Sequence, residues 1–324
     1  MKEIGGYLEL EKMTGKEYHE DMVKLNLGRT GLVYLLKTVG TKVLWVPYFL
    51  CDSVTECCKK AGYELKYYHI DENFLPIMEE KLPYGEFIYI VNYYGLIDEM
   101  QMLMLREKYT RVIIDNTHAF YQKPTPFAPA LYSLRKFFGL SDGAYIYLGG
   151  YREKIPLDML EVDESRDRMK HILGRFEAIA SEYYQDMLDN AHSLEDEMVK
   201  QMSPLTENLL RGIDYDRAKK KREENYARLQ ELLGDSNGLH VDMPQGPFAY
   251  PYYHKNGLAL RKKMAEHKVY VPVYWANVVE TMPQDSLEFD YAANILPLPC
   301  DQRYSPEDMD VVAEVLKLCL EELK

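Results

Sequence analysis

The stretch 111–147, RVIIDNTHAFYQKPTPFAPALYSLRKFFGLSDGAYIY, decides how the rest of the chain is read. It opens with Val112, Ile113 and Ile114, an apolar run with the length and composition of a buried strand. That run delivers Asp115 to its carboxyl end, and His118 follows three residues later. A second run, Ala130 to Leu134, carries Ser133 to the edge of Lys136. Ser141, Asp142 and Gly143 then turn the chain into a third strand, Ala144 to Leu148. A carboxylate at a strand end, with a lysine beyond the next strand, is the layout that pyridoxal phosphate requires. The lysine forms the Schiff base, and the carboxylate keeps the pyridine nitrogen protonated so that the ring can accept electrons.

Strands and helices alternate upstream of this stretch. Lys42 to Val46 reads as a strand ending in Pro47, followed by a helix through Ala61 that Gly62 stops. Glu64 to Ile70 and Phe87 to Asn92 read as further strands, and residues 98–109 as a helix. This alternation predicts an α/β fold with a doubly wound, mostly parallel sheet, whose ligands bind beyond the carboxyl ends of the strands. The segment LNLGRTGLVYLLK (25–37) predicts a helix beginning near Thr30. Its Gly-x-Thr-Gly start exposes backbone N–H groups that suit a phosphate, and a plain glycine-rich helix start is the competing reading. Residues 5–20 read as a polar arm.

Residues 157–234 read as almost wholly helical, interrupted at Pro204, Gly212 and Asp214-Tyr215-Asp216. Within them RAKKKREEN (217–225) reads as a solvated helix face with i,i+4 pairs. The turn-rich run 234–238 marks a boundary between a large domain, 1–238, and a small α+β domain, 239–324. In the latter, strands at Phe248–Tyr253 and Val269–Tyr274 are expected to flank a helix from Gly257 to His267. Ser305, Pro306 and Asp308 signal the start of the last helix.

The 324 residues carry a net charge of −13, which argues against a general nucleic-acid or anionic-membrane surface. Five cysteines without a Cys-x-x-Cys pair imply neither a disulfide framework nor a zinc site. The amino-terminal MKEIGGYLELEK lacks the apolar core of a secretory signal, and no apolar run approaches a membrane span, so a cytoplasmic location is expected. The 28 tyrosines, many in pairs, read as strand and interface packing. Dinucleotide, Walker, zinc-protease and nucleophile-elbow motifs are missing from the sequence.

The order Asp115, His118, Ser133-x-x-Lys136 and a glycine-containing turn resembles the DegT–StrS family of sugar aminotransferases, in a divergent branch whose lysine segment reads YS-x-RKFFG-x-DG. The likeness runs from Gly5 through the Leu-Pro-Leu-Pro segment at 296–299. It implies a fold-type-I pyridoxal-phosphate transferase, working as a homodimer with its site at the subunit boundary. Lys136 would be the catalytic lysine, and Asp115 the partner of the pyridine nitrogen. His118 would sit near the phenolic oxygen, and Ser133, Arg29 and Thr30 would attend the phosphate. Arg29 departs from the family's Ser-Gly-Thr form, and its side chain either touches phosphate or points elsewhere. Asn92 stands where histidine is usual. Counting from Pro47 places Cys51 where an aromatic residue stacks on the cofactor, which leaves Tyr48, Phe49 and Cys51 as alternatives. The implied activity is transfer of an amino group from glutamate or a similar donor to a keto sugar, nucleotide-linked, in surface-polysaccharide or secondary-metabolite sugar synthesis. The alternative is a sensor that keeps the fold and cofactor without catalysis. A sugar dehydratase is disfavoured, because that chemistry in the family replaces the lysine with histidine.

Overall fold

The run Phe87–Val91 (FIYIV) is buried at every position, as only a central strand covered on both faces can be. A computed structural model describes residues 4–78 and 81–323. It places this run, β5, in an eight-stranded sheet with β1 (Val23–Leu25), β2 (Val43–Pro47), β3 (Glu64–Ile70), β4 (Pro76–Ile77), β6 (Val112–Asp115), β7 (Ala130–Ser133) and β8 (Ala144–Tyr147). The spatial order is β1-β8-β7-β6-β5-β2-β3-β4. The five central strands β7, β6, β5, β2 and β3 are parallel, and antiparallel strands finish both edges. From β2 the chain first adds β3 on one side and then β5, β6 and β7 on the other, so the winding reverses between β2 and β5. The carboxyl ends beside such a reversal form a natural ligand crevice.

Helices α1 (Gly28–Val39), α2 (Asp52–Lys60) and α3 (Glu99–Tyr109) connect these strands. Leu32, Val33, Leu35 and Leu36 bury the apolar side of α1, which starts two residues earlier than its apolar periodicity indicates. Gly31 is required at the contact with β8: a Cβ there would stand 2.4 Å from Ile146 Cδ1. Asp98 and Gln101 form a capping box on α3. The segment 5–20 has no helix or strand, yet its end is tied into the core. Glu17 accepts from Tyr145 Oη at 2.6 Å, and His19 meets the Phe120 carbonyl at 2.8 Å.

Residues 157–234 are helical in pieces, as α4 (Lys170–Glu177), α5 (Tyr184–Ser193), α6 (Pro204–Leu210) and α7 (Tyr215–Leu233) with loops between them. Helices α8 (Gly257–Glu266), α9 (Ala276–Thr281), α10 (Leu287–Asn294) and α11 (Pro306–Glu322) follow. The Ser305–Asp308 capping box begins α11, as its sequence signals. Tyr226, Leu229 and Leu233 of α7 share a second apolar cluster with α8, α11 and a two-stranded sheet of β9 (Tyr250–Tyr253) and β10 (Ile295–Leu298).

Two readings are corrected here. Val269–Tyr274 is not a strand: Lys268 has φ +61, and the following segment runs irregularly to Trp275. The partner of β9 is β10 instead, with Pro251 opposite Pro297. Neither proline has an N–H, so the pair fits a non-hydrogen-bonded position of the ladder. The run 217–225 is also not uniformly solvated. Lys219–Glu223 and Lys220–Glu224 form the expected i,i+4 pairs, whereas Arg222 and Asn225 are buried. Among the described residues, no helix is long and apolar enough to cross a membrane.

Candidate active site

Asp115 ends β6 between β5 and β7, where both neighbours pair with it. Its carboxylate is buried and accepts from Tyr89 Oη at 2.5 Å and from the Thr117 N–H at 2.8 Å. Burial raises its pKa, while the Thr117 and Tyr89 donors and the charge of Lys136 pull it back. Tyr89 was not among the sequence candidates. Its signal is a tyrosine in the middle of a wholly buried strand, whose hydroxyl must find a partner. Asn92, at the end of β5, bonds to Ile97 N (2.9 Å) and Gln122 Oε1 (2.8 Å), shaping the turn of Tyr93–Gly95. Gly95 has φ +78 there, and a Cβ would press within 3.1 Å of the His118 carbonyl.

Ser133 ends β7, and the chain winds through one 3₁₀ turn, Leu134–Lys136. Lys136 makes no hydrogen bond or ion pair among the described residues, and its Nζ lies 5.4 Å from the Tyr274 ring centre. The side chain is exposed to solvent on one side and faced by protein groups on the other. Desolvation from the protein side lowers its pKa; Cys51 and Asp115 raise it again, and Arg135 lowers it further. The turn is held from behind. The next residue, Phe137, offers its carbonyl to Arg222 Nη2 (3.0 Å) and Gln302 Nε2 (2.8 Å).

His118 is buried and stacks on Phe248, with centroids 4.0 Å apart and planes at 13°. Tyr94, Tyr274 and Trp275 stand 5.7–5.8 Å from it. Burial first, and then the charge of Lys136, push its pKa well down, so the imidazole is neutral. Phe248, Tyr274 and Trp275 come from the carboxyl-terminal third of the chain, and local sequence gives no sign that they meet His118. Among the three stacking alternatives, Tyr48 turns to Tyr67 and His69, and Phe49 is buried against Tyr93 and Trp275. Cys51, at the start of α2, is the one whose charge couples to Lys136.

The first turn of α1 lies against Ser133: a Cβ on Gly28 would be 3.6 Å from Ser133 Cβ. This turn holds no acidic residue, and no side chain caps it. The Thr30 hydroxyl is directed inward to Asn26 Oδ1 (2.8 Å), and Arg29 donates to the Leu194 carbonyl. Phosphate recognition here would therefore draw on backbone N–H groups and Ser133. No group of three or more His, Cys, Asp or Glu side chains among the described residues is placed to hold a metal ion.

No family model matches the chain, and no curated protein matches it by sequence. Solved structures do match. A DegT/DnrJ/EryC1/StrS aminotransferase from Brucella abortus aligns with TM-score 0.60 and 14% identity, over 91% of this chain and 85% of that one. DesI, solved in the presence of its TDP-sugar product, aligns with TM-score 0.64 and 13% identity, over 92% and 80%. The PLP form of Spr1654 from Streptococcus pneumoniae aligns with TM-score 0.60 and 13% identity, over 97% and 93%. At such identities the likeness is one of architecture, extending over nearly the whole of this chain, and by it the chain has the fold of the pyridoxal-phosphate-dependent sugar aminotransferases.

Proposed function

We propose that this protein is a pyridoxal-phosphate-dependent aminotransferase that moves an amino group from glutamate or a similar donor to a keto sugar, nucleotide-linked, for polysaccharide or secondary-metabolite sugar synthesis. The observation that carries the reading is a buried carboxylate, Asp115, and a lysine without a hydrogen-bond or ion-pair partner among the described residues, Lys136, at the ends of adjacent strands of this fold, each among the charges that shift the other's pKa. The donor set fits the cofactor: a free amine, a buried acid, and a helix start beside a serine without acidic neighbours. The sugar class comes from fold relatives such as DesI, and the homodimer from the family resemblance.

When bound, pyridoxal phosphate would supply an electron sink for the carbanion at the amino donor's Cα. The chain's own residues would do the rest. Lys136 Nζ, with its lowered pKa, is available to carry a proton to and from the reacting carbon. Asp115, fixed by Tyr89 and Thr117, would hold a proton on the ring nitrogen opposite. Neutral His118 would stand beside the ring, with its own orientation set by Phe248. Ser133 and the first turn of α1 would bind the phosphate.

The test is an absorbance titration with pyridoxal phosphate, followed by single turnovers with several amino donors. A visible band is expected in wild type and lost in Lys136→Ala, and glutamate should convert the cofactor to its amino form. A colourless wild type under excess cofactor would overturn the reading. A stable band with no conversion by any donor would leave only the sensor.

A further inference from the structure

Lys136 faces a wall that the large sheet does not supply. Its Nζ lies over the ring of Tyr274, 5.4 Å from the ring centre, and no hydrogen bond or ion pair among the described residues holds the ammonium. Tyr274 closes the irregular run that begins at Lys268, whose φ is +61. Packing and a hydrogen bond fix it there. Its ring lies on Phe248, with centroids 5.4 Å apart and planes at 38°, and stands 5.7 Å from His118. The next residue, Trp275, is buried against Phe49 at 4.3 Å and Tyr93 at 5.7 Å. Asn277 donates through Nδ2 to the Leu50 carbonyl at 2.8 Å. The segment 274–277 is thereby fastened to the loop that follows β2. No hydrogen bond among the described residues engages the Tyr274 hydroxyl, so what this residue offers Lys136 is its ring.

The face of an aromatic ring is negative, and a cation within about 6 Å of its centre is attracted to it. The other titratable groups around Lys136 are Asp115 at the end of β6, Cys51 at the start of α2, Arg135 in the same turn, and His118. Asp115 accepts from Tyr89 and Thr117, Arg135 repels the ammonium, and neutral His118 adds no charge. None of them bonds to Lys136 among the described residues, and a free lysine side chain is spread over many rotamers. A fixed ring face narrows that spread. It restrains the amine without locking it, so the nitrogen can leave for a reacting carbonyl more readily than from an ion pair.

We propose that Tyr274 is a positioning residue for Lys136, its ring face holding the amine in place until a ligand engages it. The role rests on the reading of Lys136 as the reactive amine.

The test uses the whole chain without cofactor, isotope-labelled at lysine Cε, as wild type, Tyr274→Phe, Tyr274→Leu and Tyr274→Met. The Lys136 resonance is identified by its loss in Lys136→Arg. The ring should displace this resonance upfield, and the displacement should survive in Tyr274→Phe and vanish in Tyr274→Leu. The titration midpoint of the amine should fall by about 0.4–0.7 in Tyr274→Leu and stay in place in Tyr274→Phe. Tyr274→Met repeats the aliphatic case should the leucine variant not fold. If displacement and midpoint persist without an aromatic ring, or if phenylalanine behaves as leucine does, the proposal is wrong. A second arm follows the Lys136-dependent visible band with pyridoxal phosphate at a pH above the midpoints, where the amine is neutral in every variant. There the leucine variant should load about tenfold or more slowly than the phenylalanine variant, the cost of a misplaced nucleophile. Equal rates overturn the positioning role. A wild type that forms no band defeats the functional reading alone, because the resonance titration is made without cofactor.

Discussion

Replacing Arg222 with methionine tests how the turn that carries Lys136 is held in place. Arg222 is 1% exposed and projects from α7 into the junction between the large sheet and the carboxyl-terminal segment. It donates to the carbonyls of Phe137 (3.0 Å), Pro247 (2.9 Å) and Phe248 (3.3 Å) and to Gln302 Oε1 (2.7 Å), and its cation lies 4.5 Å from the Phe137 ring centre. Methionine fills similar space but donates nothing. The Phe137 oxygen keeps Gln302 as a partner, whereas the other three acceptors lose their donor, at about 1–3 kcal/mol each. Against this, the burial penalty on the guanidinium, which lowers its pKa, is relieved. The net expectation is a loss of about 2–4 kcal/mol, read as a lower urea midpoint at unchanged slope and a fall in Tm of about 4–8 °C. Arg222→Lys should recover only part of the loss, because an ammonium cannot span four acceptors in one plane. A methionine variant as stable as wild type would show that these bonds do not hold the Lys136 turn or the Phe248 loop.

Lys136 should load cofactor with a rate that rises through an apparent pKa below 10.5; Asp115→Asn should move that inflection down, and Arg135→Gln should move it up, because the lost charges attract and repel the ammonium respectively. The same shift sets stability against pH: a lysine with a lower folded than unfolded pKa penalises the native state while both states are charged, and the penalty fades as pH rises from the folded value toward 10.5. Lys136→Met should therefore melt slightly above the cofactor-free wild type at neutral pH, by a gap that solvent screening of this exposed side chain keeps small and that closes toward pH 10.5; a lower Tm at pH 7 contradicts the lowered pKa. A homodimer, if formed, is expected to draw on the exposed apolar residues of the α4–α5 segment, Leu173 (58%), Phe176 (91%), Ile179 (64%) and Tyr184 (58%). Sedimentation should show a dimer that Phe176→Asp converts to monomer, and a monomeric wild type at micromolar concentration would refute it.

Strands β5, β6, β7 and β8 were legible because a strand covered on both faces has to be a short apolar run, and each lies within a residue or two of where such a run falls, whereas β2 and β3 leave part of their length half-buried or exposed and β3 carries charged residues. The carboxyl-terminal third was less so. VYVPVY at 269–274 and ILPL at 295–298 are both short, apolar and interrupted by proline, and nothing local decides which one pairs with β9. The positive φ at Lys268 and the burial of Trp275 against Phe49 and Tyr93 decide it, and both depend on distant packing. Arg222 was hidden for a related reason. Within KKKREEN every residue is polar, and only the contacts of α7 with Phe137, Pro247 and Phe248 single out one arginine as buried. Asp115, His118, Ser133 and Lys136 lie on consecutive strand ends, so their order along the chain is also their order in space. Tyr89 and Phe248, which fix Asp115 and His118, follow no such order.

What unites the proposed site is a set of charged groups left open to a ligand. Elsewhere many buried charges are matched, Asp142 by Ser203 and Thr206, Glu17 by Lys24 and Tyr145, and Arg222 by four acceptors, although the buried hydroxyls of Tyr121, Ser141 and Tyr226 have no protein partner among the described residues. At the turn of Lys136 two cations, Lys136 and Arg135, have no hydrogen-bond or ion-pair partner among the described residues and keep contact with solvent, while the start of α1 beside Ser133 adds positive potential. Asp115 carries at most one negative charge and cannot neutralise both. A ligand suited to these groups would bring negative charge to the start of α1 and Ser133 and a group able to react with a neutral amine at Lys136. It must also offer a protonated site to Asp115. Those three demands meet in a phosphorylated aldehyde with a basic ring nitrogen, so the electrostatics of the folded chain point to the same cofactor as the order of residues along it.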